Sequence, residues 1–393
     1  MPNDRDALIS GIGLVSCLGS GVDAHWTALN SFSPVLDSET FAPYPVHPLP
    51  PLDLDSQIPK RGDQRQMEAW QRIGVFSAGL ALDSAGVKGN TELLSRMGMI
   101  VAAGGGERDY AVDAAILSGA PKAANPGAYL NEHLLGDLRP TLFLAQLSNL
   151  LAGNISIVHG VIGSSRTFMG EEASGTDAVR IACARIAAGQ GDIMLVGGSY
   201  NGQRPDIVLH MAMGKLLRPG PFEPVWARQA SGGGIVLGSI GCFLVIESRS
   251  HAAARGAAAY GWIAAIRTDR CRREPGQATA NARAQLASME GQFDPATTAV
   301  ISGASGVAAP TLEEQAFLSE LGLPVRAAAT AMGNAAEPSF PASLALAALA
   351  VQRGTLFPPL EAAEQAMTGP LKQALVTSWG HWRGEALALV TEA

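Results

Sequence analysis

Residues 164–199 read SSRTFMGEEASGTDAVRIACARIAAGQGDIMLVGGS, and this stretch decides the fold. A β-prone run comes first, and Gly170 then permits a tight turn. Over residues 173–188 the apolar side chains recur with helical spacing, and a glycine ends the helix. Residues 192–196 form a short apolar run typical of a strand buried on both faces. The pattern predicts strand, turn, helix, turn and strand, with Glu172 in the first helical turn.

Composition excludes several classes of protein. The chain has 393 residues, 47% of them hydrophobic, and a net charge of −7 without a Lys/Arg run, which argues against a nucleic acid partner. Its four cysteines show no CxxC spacing and its seven histidines no H-x-x-x-H spacing, so we expect no metal and no cofactor. The opening residues MPNDRDALIS do not resemble a signal peptide, and no stretch suggests membrane insertion. We therefore expect a cytoplasmic protein.

Strand and helix patterns alternate along the chain, which predicts an α/β fold with helices on both faces of the sheet. A proline-rich excursion at residues 31–65 interrupts the pattern and is predicted to be irregular, ordered by packing on the rest of the chain. A helix is predicted over 140–151 and a short strand over 155–159.

Two internal echoes indicate that the fold is built from two similar halves. MIVAAGGG at 99–106 recurs as AVISGASG at 299–306. The pair DIMLVGGS and GCFLVIES, within 192–248, recurs as ALVTSWG and EALALVT within 374–391. Similar segments in the same order are the mark of a repeat. We place the N-terminal half at 1–247 and the C-terminal half at 248–393.

Short motifs spread from end to end give the chain a resemblance to a known family. They include ISGIGLVSCLGSG at 9–21, EASGTDAV at 172–179, GDIMLVGGS at 191–199, AMGNAAEPSFPAS at 331–343 and TSWGHWRGEALALV at 377–390. Their order and spacing resemble a β-ketoacyl synthase of the thiolase fold. The resemblance implies a five-layer α-β-α-β-α core made of two related halves. It also implies a dimer, paired through the strand at 163–168, that acts on acyl groups held by acyl carrier protein.

The same resemblance shows that the catalytic side chains are replaced. Glu172 stands where the family has its cysteine nucleophile, within A-C-x-S-G. Gly303 replaces the first family histidine, which opens H-G-T-G-T. In the K-S-x-x-G-H frame, Ala329 replaces the lysine and Asn334 the second histidine. Glu314 matches a family glutamate that follows the first histidine.

The family's gate loop, G-F-G-G-T-N, is also altered. Here the loop reads Gly380, His381, Trp382, Arg383, Gly384 and Glu385. Bulky side chains at the third and fourth positions replace two glycines, which suggests a blocked pocket. His381 is a candidate for acid–base work, although a lone histidine is more often structural.

Condensation requires a thiolate to carry the acyl chain and donors that stabilise the enolate oxygen. The resemblance therefore implies an acyltransferase relative that does not condense on its own. We expect a chain length factor, the partner of an active ketosynthase in polyketide or fatty-acid-type elongation, as a heterodimer or a homodimer. A malonyl-thioester decarboxylase, an acyl-thioester hydrolase and an atypical β-ketoacyl synthase stay open. Glu172 either simply stabilises the helix N-terminus as a carboxylate, or occupies the site with a negative charge and holds the pocket closed, or assists decarboxylation without condensing.

Overall fold

The computed structural model describes residues 3–138, 144–381 and 384–393. Its strands are β1 (Ala7–Ser16), β2 (Gly19–Ser20), β3 (Val46–His47), β4 (Gly98–Ala102), β5 (Ser165–Phe168), β6 (Ile193–Tyr200), β7 (Leu237–Gly238), β8 (Ile240–Ser248), β9 (Gly261–Asp269), β10 (Thr298–Ser302), β11 (Val325–Ala327), β12 (Gln373–Trp379) and β13 (Glu385–Thr391). Its helices are α1 (Val22–Asn30), α2 (Arg61–Arg65), α3 (Ala69–Ser84), α4 (Thr91–Arg96), α5 (Tyr110–Gly119), α6 (Pro126–Gly136), α7 (Leu150–His159), α8 (Glu171–Ala187), α9 (Pro205–Met213), α10 (Arg249–Ala254), α11 (Gln277–Ala287), α12 (Ala308–Leu321), α13 (Ala328–Met332) and α14 (Ser339–Arg353).

The strand order shows the two similar halves directly. The main sheet runs β11-β10-β12-β13-β9-β1-β8-β6-β4-β5, and β2 pairs with β1. We call β1, β4, β5, β6 and β8 the first strand set, and β9 to β13 the second strand set. When the strands of a set are numbered along the chain, both sets have the same order in the sheet, which is first, fifth, fourth, second and third. The pairings repeat as well, with two antiparallel pairs followed by two parallel pairs in each set. Strands β1 and β9 pair at residues 7–9 and 261–263 and join the two sets.

Both echoes found in the sequence fall on equivalent strands. MIVA and AVIS form β4 and β10, the second strand of each set. The other echo forms β6 and β8 in one set and β12 and β13 in the other. The predicted repeat is therefore confirmed, whereas the boundary at 247/248 stays a prediction.

Apolar contacts divide the molecule into five layers, as expected. Helices α3 and α7 cover the outer face of the first strand set. Helices α8 and α14 lie between the two sets and share one large core with strands from both. Helices α11 and α12 cover the outer face of the second set. Helix α14 is buried from Phe340 to Val351 and packs on strands of both sets, which explains its small side chains.

Two local predictions concern residues 140–159, part of which form helix α7. The strand predicted over 155–159 is wrong, because these residues are the end of α7. Leu151, Ile155 and His159 are buried at helical spacing, so one face of α7 packs on the core. The helix predicted over 140–151 falls partly on residues outside the described ones, and α7 begins at Leu150.

The proline-rich excursion contains only short elements among its residues, namely β3, α2 and a turn of 3-10 helix at Leu54–Ser56. Leu49, Leu52 and Leu54 pack against Ile73 and Phe76 of α3, so packing orders the segment. Across the described parts of the chain, no helix is long and apolar enough to cross a membrane.

Candidate functional site

The N-terminus of α8 holds the residue at the nucleophile position. Strand β5 ends at Phe168, and Gly170 turns the chain with a φ of 114°. Glu171 follows with a φ of 51°, a left-handed conformation uncommon for a residue with a side chain. This turn directs the side chain of Glu172 into the protein, where the residue is only 4% exposed. The predicted strand, turn and helix are therefore confirmed.

The Glu172 carboxylate contacts the gate loop. His381 donates a hydrogen bond through Nδ1 to Oε1 of Glu172 at 3.0 Å, and both side chains are 5% exposed. Burial alone raises the pKa of the Glu172 carboxyl, but the hydrogen bond and charge of His381 outweigh burial and hold this pKa below its usual value. Burial likewise lowers the pKa of His381, and Glu172 reverses this and raises it. The two side chains form a buried ion pair.

The gate loop is held by its ends. The N–H of Gly380 donates to the carbonyl of Gly384 at 3.1 Å, which closes the loop. Arg273 donates to the carbonyl of Gly380 and forms an ion pair with Glu385, 3.0 Å away, at the start of β13. Two further loop residues named from the sequence, Trp382 and Arg383, lie outside the described residues.

Gly303, which is predicted to replace the first family histidine, follows β10 directly. Its N–H donates to the hydroxyl of Thr377 at 3.1 Å. A Cβ added to Gly303 would lie 2.5 Å from the carbonyl oxygen of Thr377. Real Cβ atoms do not approach a backbone oxygen so closely, so the end of β12 occupies the space that any side chain at position 303 needs.

Ala329 and Asn334 lie beside Gly303. All three line a cavity of about 10 Å³, which holds at most one water molecule. The amide oxygen of Asn334 accepts a hydrogen bond from the N–H of Ala336 at 3.1 Å and is thereby engaged with its own backbone. The structure thus brings together three residues that the sequence predicts to replace the family lysine and both histidines. Glu172 does not line this cavity.

The carboxyl group of Glu314 is buried and is hydrogen-bonded to neighbouring side chains. Its carboxyl oxygen accepts hydrogen bonds from the hydroxyls of Ser302 and Thr377 at 2.7 and 2.5 Å. Burial raises the pKa of Glu314 to about 7. Because Thr377 in turn holds the N–H of Gly303, Glu314 fixes the backbone around the first histidine position.

A second carboxyl group at the site was missed by the sequence reasoning. Glu337 is 5% exposed, and its Oε2 atom has no hydrogen bond partner within the described residues. It lines a cavity of about 140 Å³ together with Trp70, Tyr200, Arg204 and His381, hereafter the Glu337 cavity. The signal available was that Glu337 is the only charged residue between Arg326 and Arg353.

One thiol lies beside an imidazole elsewhere in the core. Cys17 Sγ is 3.7 Å from Nδ1 of His47 and donates to the carbonyl of Ala331 at 3.2 Å. Burial raises the pKa of Cys17 to about 12 and lowers that of His47 to about 4, so the thiol is neutral. Neither residue lines the cavity at Asn334 or the Glu337 cavity, so this thiol lies apart from the predicted site.

Within the described ranges, no three His, Cys, Asp or Glu side chains are grouped so that they could hold a metal ion. The absence of a cofactor remains a prediction.

Comparison with known proteins identifies related sequences. A family model described as "Beta-ketoacyl synthase, N-terminal domain" matches residues 51–252. A 3-oxoacyl-[acyl-carrier-protein] synthase 2 of Vibrio cholerae is 25% identical over 66% of this chain and 62% of that protein. The chain thus spans less than two thirds of that relative's length. The ketoacyl synthase beta subunit of the tetracenomycin polyketide synthase of Streptomyces glaucescens is 27% identical over 90% of this chain and 87% of its own.

Solved structures share the fold over the whole chain. The ishigamide ketosynthase/chain length factor has a TM-score of 0.79 at 18% identity, covering 99% of both chains. A type II polyketide synthase ketosynthase, solved with its acyl-carrier protein, has a TM-score of 0.74 at 19% identity, covering 100% of both chains. These similarities confirm the thiolase-like fold class that the sequence predicts.

Proposed function

Since the chain belongs to the β-ketoacyl synthase family, we propose that it is a non-condensing subunit, the chain length factor partner of an active ketosynthase. One observation carries this proposal: the positions of the nucleophile and of both imidazoles hold Glu172, Gly303 and Asn334, and the space between the latter two is nearly closed. The scaffold around them retains all five layers. A conserved architecture with a closed catalytic centre supports a role in assembly rather than in bond formation.

The residue at the nucleophile position is unsuited to carry an acyl chain. A carboxylate would form a mixed anhydride, which water cleaves easily, whereas the family uses a thiolate. In addition, Oε1 of Glu172 is occupied by His381 at 3.0 Å. An incoming thioester would have to break a buried ion pair before it could meet the carboxylate.

Stabilisation of an enolate is also unsupported at this centre. Oriented donors supply most of that stabilisation in related chemistry. Gly303 has no side chain, so the amide of Asn334 leaves one side-chain donor where the resemblance implies two imidazoles. A cavity of about 10 Å³ leaves no room for a malonyl group beside them.

An exposed sheet edge supports assembly with a second subunit. Strand β5 is the last strand of the main sheet, and its residues Ser165 and Arg166 are exposed. Large apolar side chains are exposed on the segments next to β5 in the chain, namely Ile162 and Met169 on either side of the strand and Ile157 on α7, at 64%, 68% and 73% exposure. Such an edge is an aggregation hazard unless it is covered, and a stable interface buries at least about 1,200 Å². We infer a dimer with a ketosynthase across β5, or a homodimer in the absence of that partner, and acyl carrier protein as the substrate carrier.

Co-expression with the ketosynthase encoded nearest to this chain tests the proposal. We expect the two proteins to co-purify as a dimer that makes polyketide, and Ile157→Asp to abolish capture. Leu312→Asp is the matched control, since Leu312 is also exposed, at 49%, and lies on α12 away from the edge. Failure of every intact ketosynthase to co-purify, or condensation by this chain alone, would overturn the proposal.

A second candidate is decarboxylation of a malonyl thioester or hydrolysis of an acyl thioester. The buried Glu172–His381 contact favours it, because paired carboxylate and imidazole groups serve acid–base catalysis. Pure protein incubated with malonyl-acyl carrier protein and followed by mass spectrometry separates the candidates. Loss of carbon dioxide supports the enzyme, and an unchanged carrier supports the silent subunit.

A further inference from the structure

Strand β5 presents a positive charge at the edge of the main sheet. The strand is the last in the sheet order and pairs with β4 alone among the described strands. Arg166 lies within it, is exposed, and is the only charged residue in the segment 160–170. No carboxylate among the described residues forms an ion pair with Arg166. The free edge therefore combines unpaired backbone groups with an uncompensated guanidinium.

A second arginine adds to the positive charge at the start of this strand. Arg185 of α8 donates through Nη1 to the hydroxyl of Ser164, the residue before β5, at 3.0 Å. That hydroxyl is neutral, and Arg185 also forms no ion pair with a carboxylate in the part of the chain that the structure describes. Residues 164–168 thus bring two cations, and no carboxylate of their own, to the edge.

Pairing of β5 with its own copy would bring like charges together. A two-fold axis that relates two antiparallel copies of one strand places some residue opposite itself, and the residues on either side of it then oppose each other. Opposite residues share a face of the sheet, and so do residues two positions apart. Every residue therefore lies on the same face as its own copy.

The short length of β5 keeps the two copies of Arg166 close. The strand has four residues, so a pairing that uses most of them is centred on Arg166 or on one of its neighbours. Arg166 then lies directly opposite its copy or on the adjacent diagonal, about 5 Å or at most about 8 Å away between Cβ atoms. Like charges at such positions destabilise a strand pair.

We propose that Arg166 selects the partner of this edge, disfavouring a second copy of this chain and favouring a strand that carries a carboxylate opposite Arg166. The inference rests on the dimer across β5 proposed above and adds the chemistry of its partner. Ile162 and Met169, exposed beside the strand, provide apolar contact area to either partner and do not discriminate. The guanidinium does discriminate, because a carboxylate attracts it and a second guanidinium repels it.

Self-association of the full chain and of its charge variants tests the proposal without any ketosynthase. In sedimentation equilibrium at low salt, the unaltered chain and Arg166→Glu should each form dimers weakly, because each pairs like charges. Arg166→Ala removes the repulsion and should self-associate about fivefold more tightly than the unaltered chain. An equimolar mixture of the unaltered chain and Arg166→Glu pairs opposite charges, so mixed dimers should be at least about fivefold tighter than either self-paired dimer.

Arg283 provides the matched control. Its side chain is 58% exposed on α11, which covers the outer face of the second strand set, far along the sheet order from β5. Mixing Arg283→Glu with the unaltered chain should therefore give no preference for mixed dimers. The proposal is overturned by Arg166→Ala dimers no tighter than those of the unaltered chain, by random pairing in the Arg166→Glu mixture, or by the absence of dimers from every sample.

Salt dependence gives a readout that a purely structural role of Arg166 would not change. The Debye length falls from about 10 Å at 0.1 M salt to about 3 Å at 1 M, so high salt screens charges at this separation. Relative to Arg166→Ala at the same salt, the unaltered chain should then dimerise more tightly and the mixture less tightly. Ratios that do not change with salt would contradict selection by charge.

Capture of a ketosynthase separates this inference from the proposed function. Capture by the unaltered chain that is lost with Arg166→Glu supports both. Capture that Arg166→Glu leaves unchanged would refute selection by charge while the heterodimer stands. If no ketosynthase is captured, the proposed function fails, and the self-association measurements still decide the role of Arg166.

Discussion

The buried ion pair between Glu172 and His381 makes a quantitative prediction about stability. Replacing His381 by alanine leaves the Glu172 carboxylate buried, with Oε1 deprived of the 3.0 Å contact. Oε2 has no hydrogen bond partner within the described residues to compensate. Removing one member of a buried pair costs about 3–5 kcal/mol, because the remaining charge is uncompensated. Urea unfolding at pH 6 should show His381→Ala destabilised by that amount.

A double variant separates the ion pair from lost packing. In Glu172→Gln combined with His381→Ala no charge stays buried, so the double variant should be more stable than His381→Ala alone. His133→Ala is the matched control: His133 contacts Asp137 at 2.5 Å, but the pair is exposed, at 32% and 50%. Exposed pairs contribute about 0–1 kcal/mol. A cost for His381→Ala no larger than that for His133→Ala would refute the ion pair.

The pair also predicts a window of pH. The pKa of Glu172 is lowered, so its contribution is present above the usual value of 4.5 and is lost as the pH falls through the folded-state pKa. The pKa of His381 is raised, so its contribution is present below 6.5 and is lost as the pH rises through the folded-state pKa. The coupling energy from the double-variant cycle should therefore be largest between pH 4.5 and 6.5. A coupling energy independent of pH would contradict a charged pair.

Further variants test the closed centre. Gly303→His, even with the thiol and second imidazole restored, should give no β-ketoacyl product by mass spectrometry, because its Cβ meets the Thr377 carbonyl oxygen at 2.5 Å; product formation would contradict that obstruction. Gly104→Ala should lower the free energy of unfolding by no more than about 1 kcal/mol, the low end of the cost of overpacking, because its Cβ would meet only the end of the Glu337 side chain, 2.5 Å from Oε1, and an added Glu337→Ala should restore this loss. The raised pKa of Glu314 makes the folded state hold a proton that the unfolded chain releases, so stability should fall between pH 4.5 and 7; Glu314→Gln should flatten this fall in urea unfolding.

Local and repeated patterns account for what the sequence predicts well. The turn at Gly170 is encoded within a few residues, and apolar periodicity identified α8 and β6. The echoes between strands identified the two halves, because equivalent strands have equivalent burial. The run at 155–159 was misassigned, since a short apolar segment has no period of its own. Only the burial of Ile155 one turn after Leu151 identifies it as helix.

Contacts at the candidate site depend on distant parts of the chain and could not be predicted. Glu172 and His381 are 209 residues apart. The resemblance predicts that Gly303 replaces an imidazole, but nothing in the sequence shows that the backbone of β12 leaves no space for a side chain there. Glu337 lies in a motif quoted above, yet nothing local shows that it lines one cavity with Tyr200.

At position 303 the chain has no side chain and no space for one, and the two features together keep the centre closed. A site that lacks its catalytic groups but keeps its volume could regain them by substitution. Here Gly303 contacts the Thr377 carbonyl so closely that a side chain requires movement of β12, a central strand between β10 and β13. Central strands are held on both edges, so this movement would disturb the whole second strand set. The larger cavity, of about 140 Å³, lies instead between Glu337 and the glycine turn at 104–106, so restoring side chains at the closed centre would not by itself make room for an acyl group.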